Sequence, residues 1–466
     1  MHSRFAQLGG RTGFRVFRAA LLISVLGSIG AAQAETLTDA FIKAYQTNPQ
    51  LAAQRAALRA TDEDVSKAIA QWRPTVTVNA AYSKSKMDLK QDPNPMINGI
   101  NQEPWQAGVT AEQTLFAGGR ILAQRRQADA RVAQGRAILH QTEQGVFLDT
   151  VTAFMDVVRD EAVLKLNEQN ITLLKKQLEA SRARFEVGEI TRTDVAQSEA
   201  ALSRGEAQLI SAQASLKASR LAYERVVGEV PIDLVSPNVP PPMPDTEETA
   251  LALGKQLNPD LIAARENEHA TGYGIDFAVG QLLPTVSIQA SYNRQGQDSA
   301  PQAIGNEAVV TGVITWPLYQ GGAEWASIRQ AKELNSQARL TVLDVDRAVS
   351  QSVSNSWEGL RAAKASTVAN DSQVKAEQLA FEGVQQELEV GSRTTLDVLN
   401  EQQTLLNAQV ALVRSQHDEV VAGYQLLASV GKLTAKELGL PVQLYDPVDN
   451  YDMQTWRPIG AATYDD

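Results

Sequence analysis

Residues 186–195 read EVGEITRTDV, and 203 positions later residues 389–398 read EVGSRTTLDV, with six of the ten positions identical. In each copy a glycine, Gly188 or Gly391, follows a long helical pattern, and a Thr-x-x-Asp, Thr191 to Asp194 or Thr394 to Asp397, opens the next one. Glycine adopts the left-handed conformation at a helix C-terminus. A threonine followed three positions later by an acid resembles a capping box, which satisfies the orphan N–H groups of a helix start. Each copy therefore predicts helix, tight turn, helix. The chain contains two similar helical hairpins.

Outward from these turns, the helical pattern covers 119–187 before the first and 322–390 before the second, and neither stretch contains proline. At about 1.5 Å per residue each makes a rod of roughly 100 Å, which no single globular domain needs. Beyond the turns, Val195, Leu202, Leu209, Leu216 and Tyr223 fall seven apart. Val398, Leu405, Leu412 and Leu426 repeat the pattern, with Glu419 breaking the seam. Ile171, Leu174, Leu178 and Phe185 give the first rod the same habit. A sustained seven-residue spacing predicts a narrow seam and coiled-coil-like packing.

The duplication extends beyond the hairpins. Asn48-Pro49 and Leu51 recur as Asn258-Pro259 and Leu261, while Pro74-Thr75-Val76 and Tyr82 recur as Pro284-Thr285-Val286 and Tyr292, at an offset of 210. LFAGG at 115–119 recurs as LYQGG at 318–322 at an offset of 203, so the difference of seven lies in the segment between. There, residues 75–83 (TVTVNAAYS) alternate polar and apolar, the period of a strand with one apolar face. Residues 88–104, with Pro93, Pro95, Pro104 and Gly99, read as a loop, and 105–116 as a returning strand. Tyr82, Tyr292 and Trp105 suit either membrane-interface aromatics or ordinary strand positions. Six prolines within 231–244 mark a stiff linker, 231–245, dividing a first repeat, 35–230, from a second, 246–432. The tail, 433–466, is acidic and proline-spaced and is expected to be irregular structure packed against the body.

Residues 1–34 contain four arginines, an apolar run over 19–29 and Ala32-Gln33-Ala34, the pattern of a secretory signal peptide. No later stretch offers the roughly 18 continuous apolar residues of a membrane helix. Loss of the four arginines takes the formal charge from −11 to −15, which argues against a nucleic-acid partner. With no cysteine, the chain has neither disulfide, thiolate nucleophile nor lipid-attachment site. His140, His269 and His417 are widely separated, and no HExxH, phosphate loop or nucleophile motif occurs. The reading is therefore of a non-enzyme with no cofactor and no metal.

Four apolar-faced strands per chain cannot close a membrane barrel, for which about eight is the practical minimum. Pooling strands and helices between chains resolves this, and the sequence alone allows a dimer or a trimer. A periplasmic coiled-coil adaptor or scaffold would use the same helical hairpins but has no use for two apolar-faced strand pairs.

The duplicated NP-x-L, the strand pairs ending in LFAGGR and LYQGG, and the VG-x-x-T-x-x-DV turns together resemble the TolC-like outer-membrane efflux proteins across nearly the whole mature chain. That resemblance implies a mainly α fold with β: a homotrimer whose chains each give four strands and four long helices to a transmembrane β-barrel and an α-helical barrel. It implies an exit duct in the outer membrane for drug efflux or type I protein secretion. An inner-membrane transporter and a periplasmic adaptor would dock at the helical tips, around Gly188, Gly391, Val187 and Val390. It also implies that residues near the tips hold the mouth shut and set its charge. Asp397 and Asp194 match the acids of that mouth, and Arg393 and Thr193 match its latch. Asn400 replaces a second acid and Leu388 a latch tyrosine. Asp194 and Asp397 serve equally well as helix caps, and Arg393 as the partner of a nearby acid or helix end.

Overall fold

The computed structural model describes residues 35–87, 100–237, 243–297, 303–461 and 463. The predicted signal peptide, the centres of both strand loops and five linker residues lie outside them. Among the described residues the order is α1 (Leu37–Thr47), α2 (Pro49–Ala70), β1 (Thr75–Tyr82), β2 (Ser85–Met87), β3 (Ile100–Gln102), β4 (Pro104–Ala117), α3 (Arg120–Glu186) and α4 (Arg192–Val227). The second half runs α5 (Glu247–Leu257), α6 (Pro259–Gly280), β5 (Thr285–Gln297), β6 (Ala303–Thr315), α7 (Ala323–Glu389), α8 (Thr395–Ser429) and α9 (Asp449–Thr455).

The duplicated Asn-Pro sits where the two repeats are fastened. Proline at the first helical position needs no N–H partner, and the asparagine before it caps the helix. Asn48 accepts from Gln50 N at 2.9 Å and donates Nδ2 to Val226 O at 2.9 Å, tying α2 to the last turn of α4. Asn258 does the same in the second repeat, accepting from Asp260 N and donating to Ser429 O, each at 2.9 Å. The returning helices end beside these caps at Gly228 (φ 89°) and Gly431 (φ 85°).

The two rods, α3 and α7, are each 67 residues long. Towards the tips, α4 packs on α3, α3 on α8 and α8 on α7, so α3 and α8 join the two hairpins. Towards the sheet, α2 and α6 flank α3, and α6 also packs on α7. The seam has two columns. Of the predicted large residues on α4, Leu216 and Tyr223 are buried, and Val195, Leu202 and Leu209 are half-buried. The fully buried column beside them is mostly small: Ser198, Gly205, Ala212, Ser219 and Val226, also seven apart. Small side chains let the helices approach closely, and a Cβ on Gly205 would lie 2.8 Å from Leu174 Cδ1.

The main sheet is antiparallel in the order β1-β4-β5-β6, so its central pairing crosses the two repeats. Register aligns Val76 with Ala111, Val78 with Val109 and Tyr82 with Trp105, then Val109 with Tyr292, Ala111 with Ala290, Ala290 with Val310 and Val286 with Ile314. Alternation places these on one continuous apolar face, and Thr77, Thr110, Ser291, Gln289 and Thr311 on the other. Val78, Val310 and Ile314 are 78%, 72% and 73% exposed, so that face is bare in the single chain. β4 starts one residue earlier than expected. The expected loop 88–104 is also shorter, because β2 and β3 pair and carry the hairpin beyond Tyr82.

The tail returns to the first repeat. Leu433, Ala435 and Leu440 join Phe41, Phe147, Phe154 and Tyr223 in the largest core cluster. Ala435 N donates to the buried Glu143 carboxylate at 2.6 Å and Asn450 Nδ2 to the buried Asp62 at 2.7 Å. The tail's short helix α9 corrects the expectation of wholly irregular structure; packing against α2, with Asp449 and Asp452 in its first turn, holds it.

Replacing Asn258 with alanine removes a helix cap and strips the Ser429 carbonyl of its side-chain donor, so a loss of about 1–3 kcal/mol is expected. Gly431→Ala should also destabilise, because its Cβ would fall 2.4 Å from Leu257 O at a positive φ. Urea unfolding of detergent-solubilised protein, followed by circular dichroism, measures both.

Candidate functional site

Both tips are built by the same local chemistry. At the first, Gly188 (φ 81°) follows α3, with Gly188 N donating to Phe185 O and Glu189 N to Arg184 O, each at 2.9 Å. At the second, Gly391 (φ 79°) follows α7, with Gly391 N donating to Leu388 O at 3.1 Å and Ser392 N to Glu387 O at 2.9 Å. These bonds close the helix carbonyls in the manner of a Schellman motif, which needs a residue free of Cβ strain at positive φ.

The Thr-x-x-Asp segments form complete capping boxes. Thr191 N donates to Asp194 Oδ2 at 2.8 Å while Asp194 N donates to Thr191 Oγ1 at 3.3 Å. The pair Thr394 and Asp397 repeats this at 2.9 and 3.2 Å. The Thr191 hydroxyl and backbone N–H hold the Asp194 carboxyl below the ordinary carboxylate range. At Asp397 the Thr394 backbone N–H leads, followed by its hydroxyl and the Arg393 charge. Within one chain, then, both acids are caps.

The other expected residues divide. Arg393 Nε lies 2.9 Å from Glu387 Oε2, an ion pair within the second turn. The first turn has its counterpart in Arg184 and Glu189, 3.0 Å apart. Leu388 is half-buried and packs on Phe381, Val398 and Leu405, so its side chain belongs to the hairpin's own core. Thr193 and Asn400 are exposed, and their side chains make no hydrogen bond among the described residues. Val187 and Val390 stand at the apices, 71% and 79% exposed. The sequence reading missed two polar ties across the hairpin joint. Gln402 Nε2 of α8 donates to Asn170 Oδ1 of α3 at 2.7 Å in a buried setting, and His417 reaches Asp156. A polar residue at a seam position, such as Gln402 four after Val398, is the signal that could have exposed the first.

The sequence profile of the outer membrane efflux protein family matches residues 42–229 and 251–432, the two repeats. The chain belongs to that family. It is 37% identical over 452 residues to the outer membrane efflux protein BepC of Brucella suis, covering 96% of each chain. It is 25% identical over 441 residues to the outer membrane protein TolC of Vibrio cholerae, covering 89% of this chain and 95% of that one. The fold is similar to that of the Campylobacter jejuni CmeC outer membrane channel, with a TM-score of 0.78 at 15% identity over 90% of this chain and 89% of that one. As a member of this family the chain is an outer-membrane transport protein and not an enzyme. Its mainly helical fold with a β-domain is the one the resemblance implies, and it is shared with channels built of a helical barrel and a β-domain.

Because both acids are held below their ordinary values in the folded chain, their caps are complete above about pH 4 and fade as pH falls through the folded value. Hydrogen exchange of the first turns of α4 and α8, corrected for intrinsic rates, should therefore show falling protection in acid, and Asp397→Asn should loosen α8 at neutral pH.

Proposed function

We propose that three copies of this chain form an exit duct through the outer membrane and periplasm, serving a tripartite efflux or type I secretion system. The observation that carries this reading is the sheet. Four strands from both repeats share one exposed apolar face, and among the described residues both edge strands, β1 and β6, are open along one side. In a bilayer every backbone polar group needs a partner, so open edges require neighbouring copies that close a barrel. Three such sheets give twelve strands, comfortably above the minimum for a lipid-spanning barrel. The mature chain begins near Glu35, with repeats over 35–230 and 246–432, a linker over 231–245 and a periplasmic tail over 433–466.

In the trimer the tips converge on one axis. Asp397 and Asp194 then act in two capacities, as caps and as an acidic mouth that draws cations. Arg393 and Thr193 hold neighbouring tips together, with Asn400 and Leu388 at the positions where the resemblance places a second acid and a latch tyrosine. The exposed Val187 and Val390, set by Gly188 and Gly391, offer apolar apices to a periplasmic adaptor and, through it, an inner-membrane transporter. Outer-membrane lipid covers the barrel, and no cofactor, metal or nucleic acid takes part.

Light scattering of detergent-solubilised protein should give a trimer, and a stable monomer would overturn the architecture. Val310→Lys places a charge on the lipid face at a cost of about 2–4 kcal/mol near the bilayer midplane, so it should block membrane insertion. The double variant Asp194→Asn/Asp397→Asn should insert normally but lose cation preference and block by multivalent cations in planar bilayers. Unchanged selectivity would leave the two acids as caps alone.

A further inference from the structure

Well away from the tips, α3 and α8 meet at a charged joint that the duct reading leaves unused. His417 of α8 is only 8% exposed. Its Nδ1 lies 2.8 Å from Asp418 Oδ1, and its Nε2 lies 3.1 Å from Asp156 Oδ1 of α3. The Nε2 approach falls outside hydrogen-bond alignment, so that contact is chiefly electrostatic. Asp156 Oδ1 is also 2.6 Å from Arg159 Nη1, and Arg159 Nε is 2.8 Å from Asp160 Oδ1. The cluster borders an open groove of about 980 Å³ lined by all four long helices, Arg159, Asp160 and Asp418 included.

A neutral imidazole has one N–H and one lone pair, so with a carboxylate at each nitrogen one acid would face a lone pair. The imidazolium suits both acids. We propose that His417 is a proton-controlled clamp between the two helical hairpins, tying α8 to α3 when charged and releasing them when neutral. The electrostatic surroundings agree in sign. Burial alone would lower the His417 pKa, but Asp156 and Asp418 outweigh it and raise the value above the ordinary one, against an opposing push from Arg159. Burial would raise the Asp156 carboxyl, yet His417 and Arg159 together hold it low.

The other charges nearby are exposed to solvent. From α4 the groove is lined by Gln208, Ser211, Ala212 and Ser215. On α7, Thr367 donates to Ser415 O at 3.1 Å, which fixes the register opposite His417. The nearest α7 charge by that register, Lys364, is exposed and makes no ion pair among the described residues. On α8 itself, Arg414 lines the groove and is exposed.

Since the folded-state pKa is raised, the clamp is fully made below the unfolded value of about 6.5 and is lost as pH rises through the folded one. This concerns how tightly the hairpins are held and depends on the duct reading only for its consequence in transport. It is tested on full-length trimer or monomer alike by hydrogen exchange from pH 5.5 to 8.5, corrected for intrinsic exchange rates. Segments 150–163 and 410–424 should lose protection with rising pH, about tenfold for each unit by which the folded pKa exceeds the unfolded. His417→Gln should flatten that profile, and His140→Gln should leave it unchanged. Asp418→Asn, at an exposed position that folding tolerates, should move the transition to lower pH. A wild-type profile that is flat, or one that survives His417→Gln, overturns the clamp and says nothing against the duct.

Discussion

An antiparallel sheet with an apolar face and two open edges is the constraint on which this molecule turns. In water the face would be left bare, and in lipid the edges would leave backbone N–H and C=O groups without partners. Neither environment suits the single chain, and that is the physical argument for the association proposed above. The duplication follows from the same geometry. β4 from the first repeat pairs with β5 from the second, so one chain supplies a continuous segment of four strands.

The helices face a related problem of length. A rod of 67 residues cannot be stabilised by one globular core, and the chain spreads its packing along a seam. One column of that seam is mostly small on α4, with Ser198, Gly205 and Ala212, and its counterpart on α8 includes Ala408 and Ser415. Small residues bring the helices close but supply little apolar area, so polar ties hold the joint at intervals. Ser181 and Ser198 meet at 3.0 Å, and Gln402 reaches Asn170. The large aromatic core lies instead where Phe147, Phe154 and Tyr223 gather α1 and the tail. The tips, by contrast, depend on their own turns and caps.

The tip turns were legible because their chemistry is local. Gly188, Gly391 and the two Thr-x-x-Asp boxes act within a few residues, and backbone sterics alone dictate what can stand there. The same holds for Asn48-Pro49 and Asn258-Pro259 as helix starts. Their second role, donating to carbonyls 178 and 171 residues away, is not local and could not be read. Leu388 shows the complementary effect of packing. Aligned with a latch position, it is drawn by its apolar side chain into the hairpin core with Phe381 and Val398.

Periodicity and duplication in the sequence determined the hairpins, the strand pairs and the two-fold organisation, because each rests on a spacing of two, seven or about two hundred residues. Tertiary structure alone decided which side chains meet across those spacings. It set the register that makes one sheet face apolar, brought the tail back onto Glu143 and Asp62, and turned an isolated His417 into a charged contact with Asp156. Such contacts join residues separated by hundreds of positions, and no local pattern in a single chain encodes their distance.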